Sequence, residues 1–223
     1  MIDMTAAERL FDVSKELWKE YNEHPFVRGI ADGSLDKEKF KYYMIQDYLY
    51  LIDYTKVFAV GAAKGRDLET MGLFAGYTHA ILDGEMEIHR GYMKRLGISL
   101  EEAERAQPAL DNLSYTSYML RVAYEEGEAE VAAAILACAV SYEEIAGRIV
   151  KEHPEALTHP FYGEWVSGYA APEYHEQNQA LIALTNRLTA GYSEVQLRHL
   201  EEIFVNCSRY EAAFWDMAWE MRR

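Results

Sequence analysis

Cys138 stands in the middle of the run Val-Ala-Ala-Ala-Ile-Leu-Ala-Cys-Ala-Val (131–140), with Ser-Tyr-Glu-Glu directly behind it. A thiol on a smooth alanine and aliphatic helix is either a small packing residue or a nucleophile aimed into a cavity. Free cysteine taken alone favours packing. Two carboxylates sit in comparable surroundings. In KFKYYMIQDYLYLIDYTKVFAV, Tyr43, Asp47, Tyr50, Tyr54 and Phe58 recur at spacings of three or four, so Asp47 lies on an aromatic helix stripe. If buried there it needs a partner, which a ligand N–H can supply. In HLEEIFVNCSRYEAAFWDMAW, Phe204, Cys207, Glu211, Phe214 and Ala218 line one face with Trp215 adjacent, which puts Glu211 inside the apolar stripe. A glutamate in a core face is uncommon without a role. Burial among aromatics raises a carboxyl pKa, the usual way to hold the group ready for proton transfer near neutral pH.

Further phenols surround these groups in sequence. SYTSYML (114–120) carries Tyr115 and Tyr118, and Tyr142 follows Cys138 by four residues on the same helix face. The segment HPFYGEWVSGYAAPEYHEQ (159–177) places Tyr162, Trp165 and Tyr169 at helical spacing, a pattern that also suits a packed cap. Metal chemistry is tested by ligand spacing. No histidine has a glutamate three residues before it, as a di-iron carboxylate bundle requires, and no HExxH or HxxxH pair occurs. Glu85 and His89, four apart on one helix, read as a salt link, and nothing marks His24, His79 or His89 as a haem ligand. No glycine-rich phosphate loop is present, so neither a metal nor a cofactor is expected.

The elements that must position these groups are helices. Five prolines, Pro25, Pro108, Pro154, Pro160 and Pro172, sit at seams between helically spaced segments. The spacing predicts helices at about 5–22, 36–64, 67–95, 109–126, 128–152, 172–190 and 193–221, with a short one near 160–169. Asp36 and Ser193 read as N-caps, and Gly33-Ser34, Gly65 and Gly97 as helix ends. The expected fold class is all-α, a single-domain helical bundle over residues 1–223.

With 22 Lys+Arg against 37 Asp+Glu, the net charge is −15, a surface that repels nucleic acid and anionic lipid. The two cysteines, without a CxxC pair, fit a reducing cytosol rather than a disulfide framework or thiolate zinc site. The N-terminal MIDMTAAERLFDVSKELW has no apolar signal region, and no apolar run reaches the ~20 residues of a membrane span. A cytoplasmic protein is expected.

In order along the chain, QDYLYL with Asp47 and Tyr50, SYTSYM with Tyr115, ILACAVSYEEIA with Cys138 and Tyr142, FYGEWVSGY with Tyr162 and Tyr169, and YEAAFWDMAW with Glu211 and Phe214 resemble the TenA (thiaminase II) family. The resemblance spans nearly the whole chain, and Cys138 in its ILAC frame fits the cysteine branch. It implies a haem-oxygenase-like bundle used without haem, commonly a homotetramer. It further implies hydrolysis of 4-amino-5-aminomethyl-2-methylpyrimidine to the 5-hydroxymethyl compound, and cleavage of thiamine. In that scheme Cys138 adds to the pyrimidine and Glu211 exchanges protons with a ring nitrogen. Asp47 binds the aminopyrimidine, and Tyr115 supports the thiol. Tyr50, Tyr142, Phe214 and Tyr169 or Tyr162 contact the ring. Such a flat, electron-poor substrate suits aromatic walls, and its amine suits a carboxylate. Two other functions remain open on the same bundle: a non-catalytic or regulatory pyrimidine-binding protein, and an oxidase.

Overall fold

The computed structural model describes residues 4–222; the first three residues of the N-terminal stretch and the last residue of the 1–223 span lie outside the described residues. Among the described residues there is no strand, and the all-α expectation holds. The chain divides into two compact units, each built from two separated stretches of sequence.

The first unit comprises Met1–Leu35 and Ala132–Trp215. It contains α1 (Ala6–Glu23), α2 (Pro25–Ala31) and most of α8 (Glu128–Glu152). A 3-10 turn (Pro154–Thr158), α9 (Gly163–Tyr169), α10 (Pro172–Leu188) and most of α11 (Glu194–Glu220) complete it. A capping box starts α1: Thr5 accepts from the Glu8 amide while the Glu8 side chain accepts from the Thr5 amide. Arg9 ties α1 to α11 by pairing with Glu194 and Glu201. Trp18 Nε1 donates to Ser208 Oγ at 3.3 Å, and the Tyr21 hydroxyl donates to the Ser208 carbonyl. Residues 131–137 are buried all round, as expected of a central helix.

The second unit comprises Asp36–Val131 and Asp216–Arg223. It holds α3 (Lys37–Lys64), α4 (Leu68–Ala80), a π turn (Ile81–Glu85), α5 (Met86–Arg95), α6 (Leu100–Arg105) and α7 (Leu110–Glu125). Helix α3 is its axis and packs on α4, α5, α6 and α7. Gly61 lets α4 approach, since a Cβ there would lie 2.8 Å from the Phe74 ring. The expected caps are present: Asp36 accepts from the Glu38 amide at 2.9 Å, and Ser193 accepts from the Gln196 amide at 3.5 Å. Gly97 ends α5 at φ +71°, with Ile98 N–H donating to the Met93 carbonyl in a Schellman closure.

The structure departs from the expected helices in two ways. The stretch expected as one helix over 67–95 is interrupted by the π turn. Short helices α2 and α6 and the 3-10 turn occupy segments expected to be connections. Each of those three spans seven residues or fewer, too few to display an apolar period.

Candidate active site

In the first unit the sequence signals of two helices, α8 and α11, converge on one buried group. Cys138 on α8 is 8 % exposed, whereas Cys207 on α11 is 0 % exposed. Glu211, one turn beyond Cys207, is 2 % exposed, with Phe214 and Trp215 buried beside it in sequence. Tyr21 of α1 joins this group. Its phenol is held well above the usual value by burial first, then by the negative charges of Glu211, Cys138 and Cys207, against the opposing Ser208 bond. Burial, followed by the Glu211 charge, likewise pushes the Cys207 thiol far up, which makes it inert as a nucleophile. Neither thiol is in a disulfide.

The backbone around Cys138 is held from three sides. Ser141 Oγ donates to the Cys138 carbonyl at 2.9 Å. The next carbonyl, Ala139, accepts from Tyr174 Oη at 3.0 Å and from Asn178 Nδ2 at 3.1 Å. Asn178 also donates to Glu143 Oε2 at 2.6 Å, so α10 fixes the register of α8 at the thiol.

Tyr142 sits within an aromatic cluster. Its ring centroid is 4.8 Å from Tyr169, 5.3 Å from Trp215 and 5.9 Å from Trp165. Tyr169 is half-buried, while Tyr162 is buried, stacks on His159 and donates its hydroxyl to the Leu35 carbonyl at 2.6 Å. A groove of about 490 Å³ is bordered by Phe11, Trp18, Glu143, Glu144, Tyr169 and His175. Its α8 residues include Glu143 and Glu144, five and six positions after Cys138 and on the opposite side of the helix from the thiol.

In the second unit Asp47 is 4 % exposed and its Oδ2 lies 2.6 Å from His89 Nε2, itself 4 % exposed. His89 Nδ1 donates to the Glu85 carbonyl at 3.0 Å. Of the expected Glu85–His89 link, the Glu85 charge does act on His89, while the hydrogen bond between the two residues uses the Glu85 backbone. Glu85 offers its backbone oxygen, and the carboxylate partner of His89 comes from α3. The partner that buried Asp47 requires is thus inside the protein. Burial lowers the His89 pKa, but the Asp47 hydrogen bond and charge, with Glu85 behind them, hold it above the ordinary value. The remaining stripe residues pack as expected: Tyr50 stacks on Tyr54 at 5.1 Å and meets Tyr115 at 5.2 Å, and its hydroxyl donates to Met119 Sδ at 3.8 Å. Tyr118 is half-buried with Arg121 over its ring at 5.2 Å.

The structure brings Cys138, Glu211, Tyr142, Tyr169, Tyr162 and Phe214 into the first unit, and Asp47, Tyr50 and Tyr115 into the second. Sequence reasoning missed Tyr21 and His89. Both carried a usable signal. Tyr21 continues the buried stripe Ala7, Leu10, Ser14, and His89 falls on the stripe Met86, Tyr92, Met93. Among the described residues no three His, Cys, Asp or Glu side chains gather as a metal site. No described helix is long and apolar enough to cross a membrane.

A helical protein with a thiol buried on an alanine-rich helix, a carboxyl buried on an aromatic stripe, and a second carboxyl buried against an imidazole has the parts of an acid–base and nucleophilic enzyme. Residues 12–221 match the TENA/THI-4/PQQC family model, and the chain belongs to this family. It is 48 % identical over 219 residues to an aminopyrimidine aminohydrolase of Halalkalibacterium halodurans, covering 98 % of this chain and 97 % of that one. A protein of the same name from Helicobacter pylori is 42 % identical, with 97 % and 100 % covered. Among solved structures, a TenA homologue from P. horikoshii OT3 superposes with a TM-score of 0.88 at 32 % identity, over 97 % of this chain and 99 % of that one. A domain with a heme oxygenase-like fold from Shewanella denitrificans, at 14 % identity, matches 94 % of this chain and 90 % of its own with a TM-score of 0.74, a likeness of fold.

Proposed function

We propose that this chain is an aminopyrimidine aminohydrolase of thiamine salvage, converting 4-amino-5-aminomethyl-2-methylpyrimidine to the 5-hydroxymethyl compound and cleaving thiamine. The observation that carries the assignment of chemistry is the contrast between the two thiols. Cys207 is sealed and pushed far up, whereas Cys138 lies at the margin of burial with its backbone pinned by Ser141, Tyr174 and Asn178.

In this mechanism the Cys138 thiolate adds to a ring carbon of the pyrimidine while Glu211 gives a proton to a ring nitrogen. The electron pair returned to the ring expels the amine, which leaves protonated, from the exocyclic methylene. Water adds to that carbon and releases the proton that balances the protonated amine, and loss of the thiolate with return of the ring-nitrogen proton to Glu211 restores the aromatic ring. Asp47 accepts from the exocyclic amine, and Tyr115 supports the thiol. Tyr50, Tyr142 and Phe214 serve as aromatic walls. Tyr169 is preferred to Tyr162 as a ring contact, because the Tyr162 hydroxyl is committed to Leu35.

The same proposal includes one functional domain, a cytoplasmic setting and a homotetramer. Exposed Leu68, Leu82, Ile88, Leu110, Leu113 and Tyr124 on the second unit favour self-association. The test is incubation of the purified protein with the aminomethyl-pyrimidine while ammonia and the hydroxymethyl product are followed. Release of both is expected. Binding without turnover would replace the enzyme with a binding module.

A further inference from the structure

The Asp47–His89 pair contains a constraint that its hydrogen bonds determine. The Glu85 carbonyl can only accept, so His89 Nδ1 carries a hydrogen. At Nε2 the ring faces Asp47 Oδ2 at 2.6 Å, a separation that two lone pairs do not tolerate. One proton therefore sits between them, whether formally on the imidazole or on the carboxyl. In either case Oδ1 has no hydrogen of its own. Among the described residues the Asp47 side chain makes its hydrogen bond to His89 through Oδ2, which leaves Oδ1 as an acceptor. A local backbone irregularity adjoins the device: the π turn Ile81–Glu85 ends at the residue whose carbonyl fixes the imidazole tautomer. Such turns recur where a side chain must be re-aimed for function.

We propose that His89 is a positioning and specificity-determining residue that makes Asp47 an obligate hydrogen-bond acceptor, matched to the exocyclic amine of a 4-aminopyrimidine and mismatched to the carbonyl of its 4-oxo analogue. This inference rests on the aminopyrimidine function proposed above. His89 acts only through Asp47. Without it, a carboxyl buried with no partner takes up a proton and can donate as well as accept, so the discrimination falls. A glutamine amide in its place still donates an N–H toward Oδ2 and keeps Asp47 an acceptor.

The experiment compares wild type, His89→Phe and His89→Gln in steady-state kinetics with the aminomethyl-pyrimidine. Inhibition by 4-amino- and 4-oxo-5-hydroxymethyl-2-methylpyrimidine is measured alongside. His89→Phe should raise KM by about 10- to 100-fold, the scale seen when the partner of a functional ligand group is removed, with a much smaller change in kcat. It should also narrow the preference for the amino inhibitor. His89→Gln should recover most of both. A His89→Phe enzyme with KM and preference within about two-fold of wild type overturns the proposal, on the standard scatter of such differences.

Nitrogen NMR of histidine-labelled wild type provides a test independent of turnover. Nδ1 of His89 must show an attached hydrogen, and a bare Nδ1 overturns the proposal even if the variants fail to fold. If wild type turns over no aminopyrimidine, the proposed function fails, whereas the NMR result still decides the pair.

Discussion

Cys138 and Cys207 are the same residue type on two buried helices, and their surroundings separate them. Cys207 has no exposure and faces the Glu211 charge; Cys138 retains slight access and a fixed backbone. Alkylation by iodoacetamide should therefore modify Cys138 at least ~10-fold faster than Cys207, as read by peptide mass spectrometry. Cys138→Ser should cut kcat by on the order of 10³-fold or more with ligand binding retained, while Cys207→Ser should have a far smaller effect. Equal activity in Cys138→Ser and wild type would remove the thiol from the mechanism.

The Asp47–His89 pair also makes a pH prediction. The His89 pKa is raised above its unfolded value of 6.5, so the pair's stabilisation is complete below that value and is lost as pH rises through the folded one. Denaturant unfolding of wild type against an Asp47→Asn/His89→Gln double variant should show a stability difference that shrinks as the pH rises above the unfolded histidine value. A difference that grows with pH would contradict the sign of the shift.

At the scale of elements, α9 shows how a short helix acquires a fixed position. It has seven residues and no side-chain N-cap, so its own propensity is weak. Gly163 at its start lies so close to the 3-10 turn that a Cβ would meet the Leu157 carbonyl oxygen at 2.6 Å. A backbone atom cannot yield as a flexible side chain can. Gly163→Ala should lower Tm by several degrees, about 2–4 °C for each kcal/mol lost in a chain of this size. It should also raise KM, because the same helix carries Trp165 and Tyr169. Gly168→Ala is the control: no atom lies within 4 Å of the added Cβ, and stability should be unchanged or slightly increased. Thermal unfolding of the two variants side by side decides whether backbone approach places α9.

The properties of the whole chain are set by its charge and exposed apolar residues. A net charge of −15 imposes self-repulsion that dissolved salt screens. Raising ionic strength from about 20 mM to about 300 mM should raise Tm, measured by scanning calorimetry. If the exposed leucines of α7 mediate self-association, Leu110→Glu with Leu113→Glu should reduce the mass seen by sedimentation. An unchanged assembly would place the contact elsewhere.

Most of the helical framework was legible in the sequence, because α1, α3, α7, α8, α10 and α11 are long enough for a 3.6-residue period to emerge. Asp47 and Glu211 were legible as candidates for a related reason: a carboxylate on an apolar stripe breaks the pattern of its own helix, whereas Cys138 fits its apolar run and was marked by the family resemblance. Short α2 and α6 and the π turn left no period to detect. What only the tertiary structure decided is which groups from different helices meet. Tyr21 joins the charges of Cys138, Cys207 and Glu211, and His89 bonds through one ring nitrogen to the Glu85 carbonyl and through the other to Asp47 on α3. Periodicity assigns each residue to a face of one helix. The identity of a buried partner depends on how the backbone of a second helix approaches, and that is set by packing across many residues distant in sequence.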